Sequence, residues 1–141
     1  MKIIFLSLLL LCTTVYGKAQ QSAVQIIVST KNTSLIYKVG KDQRLYQSYL
    51  GTKLSNSTDL SSLSAPVHVS YATFGTDNLF EPAIRVTHND GNPSLELQYV
   101  NNIIEKKDEN VTITHIKLKD PQYAVEVTLN LKAYFNENII E

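Results

Sequence analysis

The residues of this chain that could do chemistry are its carboxylates and histidines, and four carboxylates fall within one stretch: Asp77, Glu81, Asp90 and Glu96. Two carboxyl groups at a set separation, with their pKa values pushed apart, can act as general acid and base. Most acidic residues here have a plainer task. Asp90 precedes Gly91 in a turn, Glu96 and Glu126 sit on the wet parity of alternating runs, and Glu105 and Asp108 belong to a solvated charged segment. Asp77 and Glu81 remain, flanking a turn and a proline without a structural job, so Asp77 is the residue to expect at a ligand. His68, His88 and His115 show neither His-x-His nor His-Glu-x-x-His spacing, and the only cysteine is Cys12. No metal site has a local signature, and each histidine reads as a polar strand residue. There is no Gly-x-Ser-x-Gly elbow and no phosphate loop, so no cofactor is expected.

The elements that must position these residues lie in Tyr71 to Val100. Gly75-Thr76-Asp77-Asn78 is a polar loop suited to a sharp turn. Pro82 fixes its own φ and keeps Glu81 out of helical geometry, so the chain leaves the loop extended. Ala83 to His88 and Ser94 to Val100 both alternate around Asn89-Asp90-Gly91-Asn92-Pro93, which predicts a β-hairpin. Upstream, Val24 to Val28, Ser34 to Val39 and Arg44 to Leu50 read as strands, and Gly51 to Ala65 as an exposed Ser/Thr-rich loop. Pro66 to Tyr71 reads as another short extended piece. Downstream, Asn102 to Glu105 continues weakly into a charged turn at Lys106 to Asn110, and Val111 to Leu118 is a strand. After a turn at Lys119 to Gln122, Tyr123 to Phe135 alternates longest, with Val125, Val127, Leu129, Leu131 and Ala133 on the apolar parity. No window carries a helical period. The fold class is therefore all-β, an antiparallel sandwich or barrel of seven to nine strands.

The chain has 141 residues with a formal net charge of zero, eight Tyr and no Trp. Neutral charge without a basic cluster excludes nucleic acid as an expected partner, since phosphate binding needs a concentrated positive face. Lys2, the apolar run Ile3 to Leu11 and small residues at Gly17 and Ala19 read as a secretory signal over residues 1–19, too short to span a bilayer. Val15-Tyr16-Gly17 offers a competing cleavage site. Leu11 stands before Cys12 where an acylated cysteine wants a small residue, which argues against a lipid anchor. The mature chain, 20–141, is then expected to be secreted or periplasmic, without a membrane span and without disulfides. Asn32-Thr33-Ser34, Asn56-Ser57-Thr58 and Asn110-Val111-Thr112 match the glycosylation sequon, which matters only in a host that glycosylates.

The order of motifs resembles a known family. Gly75-Thr76-Asp77-Asn78-Leu79-Phe80-Glu81-Pro82-Ala83, then Val86, Asp90-Gly91 and Leu97-Gln98-Tyr99, is similar to the N-terminal domain of glycoside hydrolase family 36, the α-galactosidase family. Thr30 to Leu35 followed by Leu45 to Gly51 looks like that domain's opening hairpin, and Leu118 to Asp120 with Ala133 to Phe135 like its later strands. The resemblance covers roughly residues 25–141. Phe80 departs from it, standing where many members carry Arg. The resemblance implies a β-supersandwich of galactose-mutarotase type ahead of a (β/α)8 barrel, whose two aspartates hydrolyse terminal α-galactosides with retention. On that reading this chain is an incomplete, non-catalytic leading portion, with Asp77, Asn78 and Glu81 as candidates for the substrate rim and a homo-oligomer expected of the full enzyme. The competing expectation is a free-standing exported sandwich that binds carbohydrate or protein, with Tyr37, Tyr46, Tyr49 and Tyr71 able to stack on sugars.

Overall fold

In a computed structural model the described residues are 24–63, 69–75 and 81–141. The leader, Cys12, Pro66, His68, Asp77 and Asn78 lie outside them. Two antiparallel sheets face one another. The first has the order β1 (Gln25–Ser29), β2 (Thr33–Val39) and β3 (Leu45–Thr52). The second runs β4 (Gln98–Lys106), β5 (Val111–Lys119), β6 (Glu126–Tyr134) and β7 (Ile139–Ile140). The all-β antiparallel expectation is met.

Period-two patterning explains the core. Ile26 and Val28 of β1, Leu35, Tyr37 and Val39 of β2, and Leu45 of β3 present one face. Ile116 and Leu118 of β5 and Ala133 of β6 meet them, with Val127, Leu129 and Leu131 packed alongside. The apolar parity of β6 faces inward, as its alternation requires. The two layers are joined at their corners. Asn138 accepts from the Thr30 hydroxyl and, at 3.2 Å, from the Asn32 amide. Tyr99 N donates to Gln43 O at 2.7 Å, tying the start of β4 to the β2–β3 turn.

Three segments differ from the sequence reading. Gly51 to Ala65 is not simply a loop. Gly51 and Thr52 finish β3, and Ser57–Ser62 forms a short helix, α1. Its serines hid it, because they return hydroxyl bonds to the helix backbone: Ser61 to Thr58 O and Ser62 to Asp59 O. This segment crosses the back of the first sheet, where Lys38 Nζ donates to Leu63 O and Leu54 N to the Ser34 hydroxyl. Ile36, on the parity opposite Leu35 and Tyr37, is fully buried.

The second difference is the central hairpin. Ala83 to His88 and Ser94 to Leu97 alternate in burial but form no ladder with each other. The turn itself forms, with His88 N donating to Asn92 O and Gly91 N to His88 O, both at 2.9 Å. Beyond it the two arms part. Ile84 bridges to Thr73 in parallel, and Leu95 N donates to Phe74 O at 3.0 Å. Third, Asn102 to Glu105, expected only as a weak continuation, is part of a nine-residue strand, β4.

Candidate functional site

The corner around Gly75, Asp90, Glu96 and Asp120 is built from turns locked by side chains. Gly75 lies at φ 85°, and a Cβ there would stand 2.8 Å from Ser94 Cα. Only glycine fits both that backbone and that contact. Ser94 is held from the other side by His88, whose Nε2 lies 2.8 Å from Ser94 O.

Asp120 is the buried anchor of this corner, 3% exposed at the end of β5. One carboxylate oxygen accepts from Glu96 N at 2.9 Å, and the other from Gln122 N at 2.7 Å and Tyr123 N at 2.9 Å. Burial raises its pKa, but the amides of Glu96, Tyr123 and Gln122 outweigh burial and leave it below the ordinary carboxylate value. Asp120 thus supplies the partner for one amide, Glu96 N, of the Ser94–Leu97 arm.

Tyr123 completes the lock. Its hydroxyl donates to Asp90 at 2.9 Å and accepts from the Asn92 amide at 2.8 Å. His88 stacks on its ring, centroids 3.5 Å apart and planes 6° apart. Asp90 also accepts from Asn92 N at 3.0 Å, and that bond with the Tyr123 hydroxyl keeps its carboxyl below the usual range. The Asn92 amide lowers the Tyr123 phenol, while Asp90 raises it further, for a net upward shift.

Two depressions flank Tyr123. One, of about 160 Å³, is lined by Arg44, Gly75, Ser94, Glu96, Asp120 and Gln122, with Arg44 and Glu96 paired at 3.4 Å. The other, of about 440 Å³, opens between Val86 to Asp90 and Tyr123 to Val125.

The sequence profile of the glycosyl hydrolase family 36 N-terminal domain matches residues 20–141. The chain belongs to that family. The fold is similar to an α-galactosidase of Lactobacillus brevis, with a TM-score of 0.73 and 16% identity over 85% of this chain and 21% of that one. It is similar too to an α-galactosidase of Geobacillus stearothermophilus in complex with raffinose, at TM-score 0.70 and 19% identity over 83% of this chain and 21% of that one. A second structure from that organism, in complex with stachyose, gives TM-score 0.71 and 17% identity over 83% and 21%. The chain therefore spans about a fifth of the length of the enzymes it matches. No curated protein matches it.

In this family 36 N-terminal domain, the rim candidates Asp77 and Asn78 lie outside the described residues. Glu81 is exposed, and Asp90, Glu96 and Asp120 each hold a backbone amide or an ion pair. Among the described residues no three His, Cys, Asp or Glu stand together as a metal site, and no helix is long and apolar enough to cross a membrane. The tyrosines expected to stack on sugar are engaged elsewhere. Tyr37 is buried, Tyr46 donates to Asp42 at 2.6 Å, Tyr49 to Thr52 O at 2.7 Å, and Tyr71 packs on the core. Among the described tyrosines, Tyr123 lines both depressions. Sequence reasoning passed over it because it opens the longest alternating run and read as strand.

Proposed function

We propose that the chain is the non-catalytic N-terminal β-sandwich of a secreted or periplasmic α-galactosidase-like glycoside hydrolase, inactive alone. The observation that carries this is the family match over residues 20–141. The chemistry of the corner supports it. In that corner Asp90 and Asp120 hold backbone amides and Glu96 pairs with Arg44. The apolar run at Ile3 to Leu11 supports export. On this reading Asp77, Asn78 and Glu81 are the candidates for the substrate rim of the whole enzyme. The substrates are terminal α-galactosides of the kind seen with the relatives, raffinose and stachyose. The full enzyme is a homo-oligomer on this reading. An assay of this chain with a chromogenic α-galactoside at high protein concentration tests it. No turnover is expected, and turnover abolished by Asp77→Asn would overturn the non-catalytic reading.

A further inference from the structure

The larger depression beside Tyr123 has no part in the rim reading. We propose that the cleft between Val86 to Asp90 and Tyr123 to Val125 is a carbohydrate subsite that seats one ring of a neutral oligosaccharide. The choice of an α-galactoside as the probe rests on the function proposed above; the chemistry of the cleft does not.

Its volume of about 440 Å³ falls in the range of small-molecule sites. Val86, Ala124 and Val125 give it apolar wall, and Thr87, Asn89 and Asp90 give it polar rim. A pyranose has the same division, a face of C–H groups and an edge of hydroxyls. No Lys or Arg lines the cleft, so an anionic ligand has no counter-charge. A wholly apolar ligand would strand the polar rim.

The rim has capacity to spare. The side chains of Thr87 and Asn89 make no hydrogen bond among the described residues. Asp90 uses one acceptor position on each oxygen, for Asn92 N and the Tyr123 hydroxyl, and keeps further lone pairs. The wall behind the rim is already ordered. Tyr123 is fixed at its hydroxyl by two partners and at its face by His88, which is itself held at Ser94 O. A ligand seated here need not order the aromatic pair, which removes one cost of binding. Tyr123 also lines the Gly75 depression, so a longer sugar could reach from this cleft to that corner.

The test is an NMR titration of the whole isotope-labelled chain with raffinose to about 20 mM, a range suited to millimolar affinity. Saturable shifts are expected at the amides of Thr87, Asn89, Asp90 and Tyr123 to Val125. The double variant Thr87→Val, Asn89→Ala removes rim contacts without breaking a hydrogen bond of the fold. Its melt should match the parent, and its affinity should fall at least about five-fold, the worth of one net hydrogen bond. Absence of shifts, or affinity unchanged in the double variant, overturns the subsite. Shifts confined to Gly75 and Glu81 also overturn it while leaving the rim reading standing. Cleft binding in a chain whose complete enzyme hydrolyses no α-galactoside would keep the subsite and sink the function proposed above.

Discussion

Asp120 shows how much one side chain can carry. Three backbone amides from two segments converge on a carboxylate that is almost wholly buried. Removing it leaves those donors without a partner, so Asp120→Ala should cost about 2–4 kcal/mol in a denaturant titration. Asp120→Asn keeps one oxygen for Gln122 and Tyr123 and should cost less. The acid response follows in sign. The folded carboxyl titrates below its unfolded value of about 3.9, so its contribution is full above that pH and is lost as pH falls through the folded value. The melting temperature of the parent should therefore drop, as pH falls below about 4, more steeply than that of Asp120→Asn. Equal slopes would mean that this carboxylate is not a source of acid sensitivity. None of this was legible in the sequence, where Lys119-Asp120-Pro121 reads only as a turn. What a turn aspartate binds depends on which distant amides the fold brings to it.

At the scale of elements, the alternation of Ala83 to His88 was real and its interpretation was not. Burial alternates residue by residue through that arm, so period two correctly reported an extended chain with one face inward. It said nothing of a hydrogen-bonding neighbour, and the neighbours proved to be Ala72, Thr73 and Phe74. In β5 and β6 the same signal did mean a ladder, because a tight charged turn and a second turn at Asp120 bring each run back against its predecessor. Two positive-φ glycines among the described residues separate conformation from contact. Gly91, at φ 83°, has open space where a Cβ would go, whereas Gly75 has Ser94 there. Gly91→Ala should cost about 1–2 kcal/mol from backbone handedness alone. Gly75→Ala should cost more than Gly91→Ala, since backbone must also shift; chemical denaturation of the pair checks the order. The segment carrying α1 makes a further demand. Ile36 is fully buried on the face of β2 that carries Ser34 and Lys38, which Leu54 and Leu63 of that segment reach, so Ile36→Ala should lose about 2–5 kcal/mol. A loss under 1 kcal/mol would show that the segment does not close that face.

The whole molecule is an antiparallel sandwich whose second sheet has an apolar outer strand. On β4, Val100, Ile103 and Ile104 are 48%, 62% and 59% exposed. An edge strand with free backbone groups and apolar side chains invites pairing with another chain. The isolated chain is expected to self-associate, and Ile103→Lys should raise its monomer fraction in light scattering at equal concentration. A parent that stays monomeric at high concentration would contradict this. Sequence alone could assign the fold class, since turn signals and strand periods agree along most of the chain. It could not assign the cleft, whose walls come from segments more than thirty residues apart: Tyr123 reaches Asp90 across a separation of 33.

The corner joining Thr30 to Asn138 bridges 108 residues of chain. At synthesis rates of about 5–20 residues per second, roughly 5–20 s pass between the emergence of the first partner and the last. For most of that interval Ile26, Val28 and Leu35 have no opposing sheet, although the β1–β2 hairpin can already form from residues adjacent in sequence. The nascent chain thus carries a finished hairpin with a bare apolar face. Whatever binds such faces at the ribosome meets this protein before its sandwich can close.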